Sequence, residues 1–301
     1  MSDTLVRAID AVAGLRVVAA ITTDLVREAV ERHQASGLGA CALGRALTSG
    51  LLLATLTKNE ERVTLQIRGD GPIGGLTVDA HVRAAGMADV RGYLGHPDKA
   101  AAPCIGRGLV TRVLGRQGLV NVLRDVGLTD RYQGQVPLLT GEVDEDVEAY
   151  LRNSEQVPSA LGCDVLMRDG LAVDAAAGVL IQCLPGAANE NVWEWQHAVR
   201  TGAVYDFLSS GGSDARALAE AVYGRALEVL GRQPARFQCR CSEERVRDTL
   251  RLLSVVDLDE MIAQEGHAEV TCNYCNRRYR VERPQLEELR AELSGGPRGQ
   301  N

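Results

Sequence analysis

The chain has 301 residues, 45% hydrophobic and 24% charged, enough for a large core and more naturally two or three domains than one. Only 4% is aromatic, so the interior must be built mainly from Leu, Val, Ile and Ala. A net charge of −7 argues against a general nucleic-acid binder, which normally carries a basic excess.

In chain order, Thr22, Thr23 and Asp24 open a helix whose apolar Leu25, Val26, Ala29 and Val30 recur at helical spacing up to His33. A second helix is expected over 40–57. The apolar stretch 41–56 is broken by Arg45, Thr48, Ser49 and Thr55, and reads as too short and too polar to span a bilayer. Val63, Leu65 and Ile67 then alternate with polar residues up to Gly69-Asp70-Gly71-Pro72, and Leu76, Val78 and Ala80 alternate again. This is a β-hairpin. The spacing Gly69-x-Gly71-x-x-Gly74 matches a dinucleotide fingerprint by letter. That fingerprint needs a helix to start at the turn, and Pro72 with the following strand pattern argues against one.

Further strands are expected at 90–94, 109–114 and 135–138. A helix is expected over 142–155, with Val143, Val147, Tyr150 and Leu151 on one face and Pro158 barring its continuation. Asp169-Gly170 marks a second hairpin between 161–167 and 171–173. The apolar run 178–184 ends at Pro185-Gly186, where the first domain is placed to end. The segment 187–238 reads as a helical connector, with helices over 192–199 and 214–230, the second closed by Gly231 and Pro234. Trp193 and Trp195 on the first of these point about 200° apart, so at least one is expected at the surface.

The last domain, 239–293, carries the densest chemistry. Ser242 caps a helix striped by Val246, Leu250 and Leu253. Asp257-x-x-Glu260 reads as a capping box for a second helix that Gly266 ends. Residues 270–281 form a hairpin, a short helix covers 284–293, and the tail 294–301 reads as disordered. Overall the expectation is an α+β protein. It has a mixed sheet and helix domain over 1–186, a helical linker over 187–238 and a small zinc-binding α+β domain.

Four of the eight cysteines lie in that small domain: Cys239, Cys241, Cys272 and Cys275, spaced C-x-C, thirty residues, C-x-x-C. Two close pairs can supply the four thiolates of a tetrahedral zinc site. They can also bond to each other, so the cluster reads as a zinc site, a redox site or both. A domain of this size has little core and commonly needs a metal or a disulfide. Zinc bound to such peptides is worth about 10–16 kcal/mol, which is effectively folding energy. Zinc holds cysteine as thiolate, the form that oxidants attack, and each pair carries its own resolving partner.

The blander alternative is an inert zinc staple. Two others are a zinc-ribbon nucleic-acid binder and an oxidoreductase that uses C-x-x-C as its dithiol. Between Cys239 and Arg283 stand eight Arg against nine acids, so the module is near neutral and a poor match for nucleic acid. Arg277, Arg278 and Arg280 form a small patch on a solvated hairpin face. His267 lies near the cluster, but four thiolates complete a tetrahedron without it. No nucleophile or acid–base constellation appears, and no enzyme activity is expected. The N-terminal residues lack a secretory pattern, so a cytoplasmic location is expected, and in a reducing cytoplasm clustered cysteines read as metal-binding or redox-sensing before structural disulfides. Cys41, Cys104, Cys163 and Cys183, isolated in sequence, read as buried apolar residues, although Cys104 beside Gly106 and Gly108 could be reactive.

The sequence resembles the 33-kDa heat shock proteins along almost its whole length. In the first domain the likeness is carried by AVERHQASGLGACALGRALTSGLLLA, EERVTLQIRGDGPIGG, VRGYLGHP, YQGQVPL, GEVDEDVEAYLRNSEQVPSALGCDV and GVLIQCLPGA. In the last domain it is carried by CRCSEE and VTCNYCNRRYRV. The resemblance implies a redox-regulated, ATP-independent holdase. Cys239, Cys241, Cys272 and Cys275 would bind zinc in an inactive reduced form. Oxidation would pair Cys239 with Cys241 and Cys272 with Cys275, release zinc, unfold the last domain and loosen the linker. Apolar surface would then meet unfolding client proteins, and the oxidised form would be a homodimer. Neither nucleic acid nor membrane is an implied partner. Cys41, Cys104, Cys163 and Cys183 fall outside the family's zinc motif.

Overall fold

Two strands that alternation alone misses open the chain. β1 (Thr4–Asp10) and β2 (Leu15–Ile21) pair antiparallel from Thr4↔Ile21 to Asp10↔Leu15. Their apolar run is almost unbroken because β2 is covered on both faces. Val17, Ala19 and Ile21 join one core cluster, while Val18 and Ala20, buried as well, point to the opposite face. The computed structural model describes residues 2–57, 61–83, 86–107, 109–125, 132–187 and 192–295. The chain falls into two units, one ending at Gln238 and the other starting at Cys239.

α1 (Thr23–His33) follows as its spacing predicts. Its cap is not local. Thr22 makes no side-chain cap bond, and the carboxylate of Asp3, next to β1, accepts from the N–H groups of Asp24 and Leu25 at 3.0 and 2.6 Å. α2 (Gly37–Ala54) is buried along all 18 residues. By length and composition it is apolar enough to cross a membrane, which corrects the sequence estimate. Its place, though, is inside the fold, packed on strands of the sheet. The glycines of α2 make room there. A Cβ on Gly44 would lie 2.7 Å from Val165, and one on Gly50 would lie 2.6 Å from Val78.

β3 (Arg62–Gly69) and β4 (Leu76–Val82) form the expected hairpin, and β5 (Ala88–Leu94) adds to it. The glycines 69, 71 and 74 therefore turn a hairpin and open no helix. The strand expected at 109–114 is instead a short helix, α3 (Thr111–Leu114), ended by Gly115 at φ +89°. The reason is tertiary, since Glu142 accepts from the Thr111 N–H at 3.0 Å and satisfies a helix donor that a strand would not present. β6 (Gly118–Asp125), missed in the sequence, lies between β3 and β7 (Tyr132–Pro137). α4 (Val143–Asn153) and the hairpin of β8 (Ser159–Arg168) with β9 (Ala172–Cys183) follow as expected.

The segment 187–238 departs from the helical connector. Three short helices, α5 (Trp193–Thr201), α6 (Ala203–Ser209) and α7 (Ala215–Tyr223), pack Val199, Val204, Leu208, Leu218 and Val222 onto the sheet. The helix expected up to residue 230 stops at Tyr223, with Gly224 left-handed at φ +87°. The chain then enters β10 (Glu228–Phe237), which runs between β5 and β1 in a ten-stranded sheet of order β7-β6-β3-β4-β5-β10-β1-β2-β9-β8. Gly231 and Pro234 read as breakers in the sequence. The strand accommodates them with a register shift opposite Arg7 and Ala8 and with Pro234 set across from Thr4. Of the two tryptophans, Trp193 is 63% exposed. Trp195 stacks on Tyr223 and donates to its carbonyl at 3.2 Å.

The second unit holds α8 (Glu243–Leu250), α9 (Val255–Gln264), a hairpin of β11 (His267–Thr271) and β12 (Arg278–Glu282), and α10 (Arg283–Gly295). Of the tail expected to be disordered, Ser294 and Gly295 belong to α10, and 296–301 lie outside the described residues. The capping box is shifted by one partner from the sequence reading. Ser254 is the cap, its Oγ accepting from the Asp257 N–H at 3.2 Å, while Asp257 Oδ2 accepts from the Ser254 N–H at 3.0 Å. Ser254→Ala should therefore cost about 1 kcal/mol. The loss should appear as faster amide hydrogen exchange across α9, and unchanged exchange there would count against the cap.

Candidate metal centre

The four C-terminal cysteines reach one point from two different local structures. Cys239 and Cys241 precede α8, whose N-cap is Ser242, with Oγ accepting from the Arg245 N–H at 3.2 Å. Cys272 and Cys275 sit in the bend between β11 and β12. That bend is closed by Cys272 N–H to Arg277 O at 2.9 Å and Asn276 N–H to Cys272 O at 2.8 Å, with Asn276 left-handed at φ +57°. The hairpin register from His267↔Glu282 to Thr271↔Arg278 fixes the bend. Below it lies the core of this unit: Val246, Leu250, Leu258, Ala268, Tyr279, Val281, Leu286 and Leu289. Cys241 and Cys272 pack against that core.

The four sulfurs all lie within 4.8 Å of one another. The Sγ atoms of Cys239 and Cys272 are 3.7 Å apart, and those of Cys241 and Cys275 are 3.3 Å apart. A tetrahedron with metal–sulfur bonds of about 2.3 Å has edges of about 3.8 Å, so the spacing fits one small ion. Three of the sulfurs also accept a backbone N–H from two residues ahead: Cys239 from Cys241, Cys272 from Tyr274, and Cys275 from Arg277. Such bonds favour the thiolate over the thiol.

The thiols of the cluster do not ionise alike. Burial pushes the Cys239 thiol up, but the Cys241 N–H and the neighbouring thiols outweigh it and hold that group below the usual thiol range. Burial pushes the Cys272 thiol up, and the Cys275 thiol further still. One site can ionise readily while its neighbours resist a second negative charge. A bound cation removes that conflict, because it supplies the opposite charge to every sulfur at once. The donor set is four thiolates in near-tetrahedral array, which suits zinc or another thiophilic ion. His267 donates no ligand to this group, and its Nδ1 lies 3.0 Å from Glu265 O.

A family model for the Hsp33 protein matches residues 3–282. The chain belongs to the Hsp33 family. The "33 kDa chaperonin" of Geobacillus kaustophilus is 36% identical over 292 residues, covering 96% of this chain and 98% of that protein. The same-named protein of a Synechocystis strain is 40% identical over 300 residues, with 97% of each covered. The crystal structure of the 33 kDa chaperonin (heat shock protein 33 homolog) from Thermotoga maritima superposes with a TM-score of 0.86 at 28% identity. It covers 98% of this chain and 99% of that one. The α+β fold class expected from the sequence is thus the fold of an Hsp33 protein, and the names of these relatives support a chaperone.

The sequence pointed to all four sulfurs of the cluster by spacing alone. The other four cysteines are buried, as expected of apolar residues. A buried ionic group around Arg45 was not legible, because Arg45 lies far in sequence from Glu142, Asp144 and Asp164. Arg45 bonds Glu142 Oε2 at 2.6 Å and also Asp144, which ties α2 to the start of α4. Asp144 Oδ2 in turn accepts from the Cys163 N–H at 3.1 Å, and Asp164 pairs with Arg107 at 3.1 Å.

Proposed function

We propose that this Hsp33-family chain is a zinc-bound, redox-regulated, ATP-independent holdase with Cys239, Cys241, Cys272 and Cys275 as ligands and sensors together. The observation that carries the proposal is the set of four sulfurs within 4.8 Å, seated on the small core of a separate C-terminal unit. When bound, zinc would keep the four sulfurs as thiolates and hold the hairpin bend against the segment before α8. Hydrogen peroxide removes two electrons from a thiol pair, forms one S–S bond and is itself reduced to two waters. The proposed pairs are Cys239–Cys241 and Cys272–Cys275. A disulfide sulfur has lost the charge that holds a cation, so the unit loses the energy that folds it.

The segment 187–238 is the proposed responsive element, and the apolar faces that it shares with the sheet are the proposed client surface. Clients would be unfolding proteins, and the oxidised form would be a homodimer. The cytoplasm, which keeps thiols reduced, is the proposed compartment for the resting form. A dithiol oxidoreductase is disfavoured because Cys272 and Cys275 occupy a hairpin bend, whereas a catalytic C-x-x-C uses a helix start to depress its thiol. The test follows zinc release with a chromogenic chelator and light scattering of a heat-unfolding client, before and after peroxide at raised temperature. Zinc release together with suppressed aggregation only after oxidation is expected. A reduced, zinc-loaded protein that is already fully active, or an oxidised one that stays inactive, would sink the proposal.

A further inference from the structure

The first unit brings two other cysteines together, and the reason lies in the glycines of α2. The segment 100–104 runs alongside the first turns of that helix. Leu38 N–H donates to Ala102 O at 2.8 Å. A Cβ on Gly37, which sits at φ +55°, would lie 2.1 Å from that same oxygen, and a Cβ on Gly39 would lie 3.0 Å from the Ala100 Cβ. No larger side chain permits this approach. One step further along both segments come Cys41 on the helix and Cys104 on the loop, and their thiols hydrogen-bond to each other. A bond from Cys104 N–H to Gly170 O at 2.8 Å pins the loop at that residue.

We propose that Cys41 and Cys104 form a second redox site, a dithiol that hydroperoxides convert to an intramolecular disulfide independently of the four C-terminal cysteines. Three features of the surroundings support it. Both thiols are covered, at 2% and 1% exposure, so the resting pair is shielded from random alkylation. Cys104 is nevertheless a single buried residue in an exposed run, flanked by Pro103 and by Ile105 at 84% exposure. Opening of that short loop alone brings peroxide to it. Arg45, one helical turn beyond Cys41, supplies a positive charge that favours a thiolate nearby.

The hydrogen bond from Cys41 and the Arg45 charge hold the Cys104 thiol below its usual range, while its neighbour and burial push the Cys41 thiol well up. The two cysteines therefore take different roles. Cys104 is the attacking thiolate. It attacks one oxygen of hydrogen peroxide, the O–O bond breaks, and the leaving hydroxide takes up the proton that the Cys104 thiol released and departs as water, which leaves a sulfenic acid on Cys104. The Cys41 sulfur then attacks the Cys104 sulfur, the hydroxyl leaves as a second water, and the S–S bond forms. Cys163, buried as well, has a different neighbour, accepting from Ser49 Oγ at 3.4 Å.

The inference does not rest on the proposed zinc switch, and the experiment separates the two. Full-length, zinc-loaded protein is treated with hydrogen peroxide while zinc release is followed. Free thiols are then blocked with N-ethylmaleimide, and the protein is digested with trypsin without reduction. The tryptic peptides 33–45 and 100–107 carry Cys41 and Cys104 respectively, and no other cysteine. A cross-linked species of these two peptides, two hydrogens lighter than their sum, is expected, with loss of both maleimide adducts. In C41S, where the resolving sulfur is gone, a dimedone adduct on peptide 100–107 should replace it. Should that variant fail to fold, the wild-type map decides alone. Recovery of both peptides as maleimide adducts, or of either one joined to a different cysteine, overturns the site whatever the zinc does.

Discussion

Cys275→Ser should reduce bound zinc from about one equivalent to almost none and unfold the second unit while the sheet from β1 to β9 remains folded. Cys275 is the most buried of the four sulfurs, at 3% exposure, and sits in the bend whose backbone hydrogen bonds set the register of β11 and β12. A serine oxygen there is a poor ligand for a thiophilic ion and leaves three thiolates with an incomplete shell. Even outer-shell partners of a metal are worth 10–100-fold in affinity, so loss of a ligand should cost more than about 100-fold. The unit cannot absorb that loss, because its core is eight buried side chains plus the partly buried residues around them. Zinc quantification with limited proteolysis reads the result. Cleavage is expected within α8, α9 and the hairpin, while the strands from β1 to β9 stay protected. A variant that keeps both its zinc and its protease resistance would show that Cys275 is not a ligand.

Arg45→Met should destabilise the first unit by about 3–5 kcal/mol, the usual cost of leaving a buried charge without its partner. Arg45 is 2% exposed, and Asp144 and Glu142 converge on its guanidinium. Burial works against the Arg45 charge, but Asp144 and Glu142 outweigh it and keep the guanidinium firmly protonated. Burial pushes the Glu142 carboxyl up despite that guanidinium and pushes Asp164 up to about 6, and the Arg45 charge opposes both shifts. Methionine fills a similar volume and removes the charge, which isolates the electrostatic loss from a packing loss. The midpoint of urea unfolding, followed by tryptophan fluorescence, measures it. Adding Asp144→Asn should recover part of the loss, since it removes one stranded carboxylate. A midpoint within error of the wild type would mean that water already solvates this group. Arg45 also stands near Cys104, so the variant should slow formation of the Cys41–Cys104 cross-link as well.

Local chemistry was readable in the sequence wherever partners sit within a few residues. The helix at Thr23–His33, the hairpin of β3 and β4, the Ser242 cap and the hairpin bend at Cys272 and Cys275 all declare themselves by spacing. The cysteine cluster was legible for the same reason, because two short motifs carry their own turns and need only one closure between them. Strand β10 was hidden, since Gly231 and Pro234 signal a break, and only β1 and β5 on either side turn that segment into a strand. Its closing role in a ten-stranded sheet is therefore a property of the fold and of no local pattern.

What the sequence by itself determined is the α+β class, the four sulfurs and the family to which they belong, since each depends on short-range periodicity or on spacing along the chain. Tertiary structure alone decided which distant groups meet. It set Asp3 at the start of α1, gathered Glu142 and Asp144 around Arg45, and brought Cys104 against Cys41 across a helix made narrow by glycine. Charge burial and close approach depend on distance in space, and a linear pattern records that distance only when the partners are also neighbours in the chain.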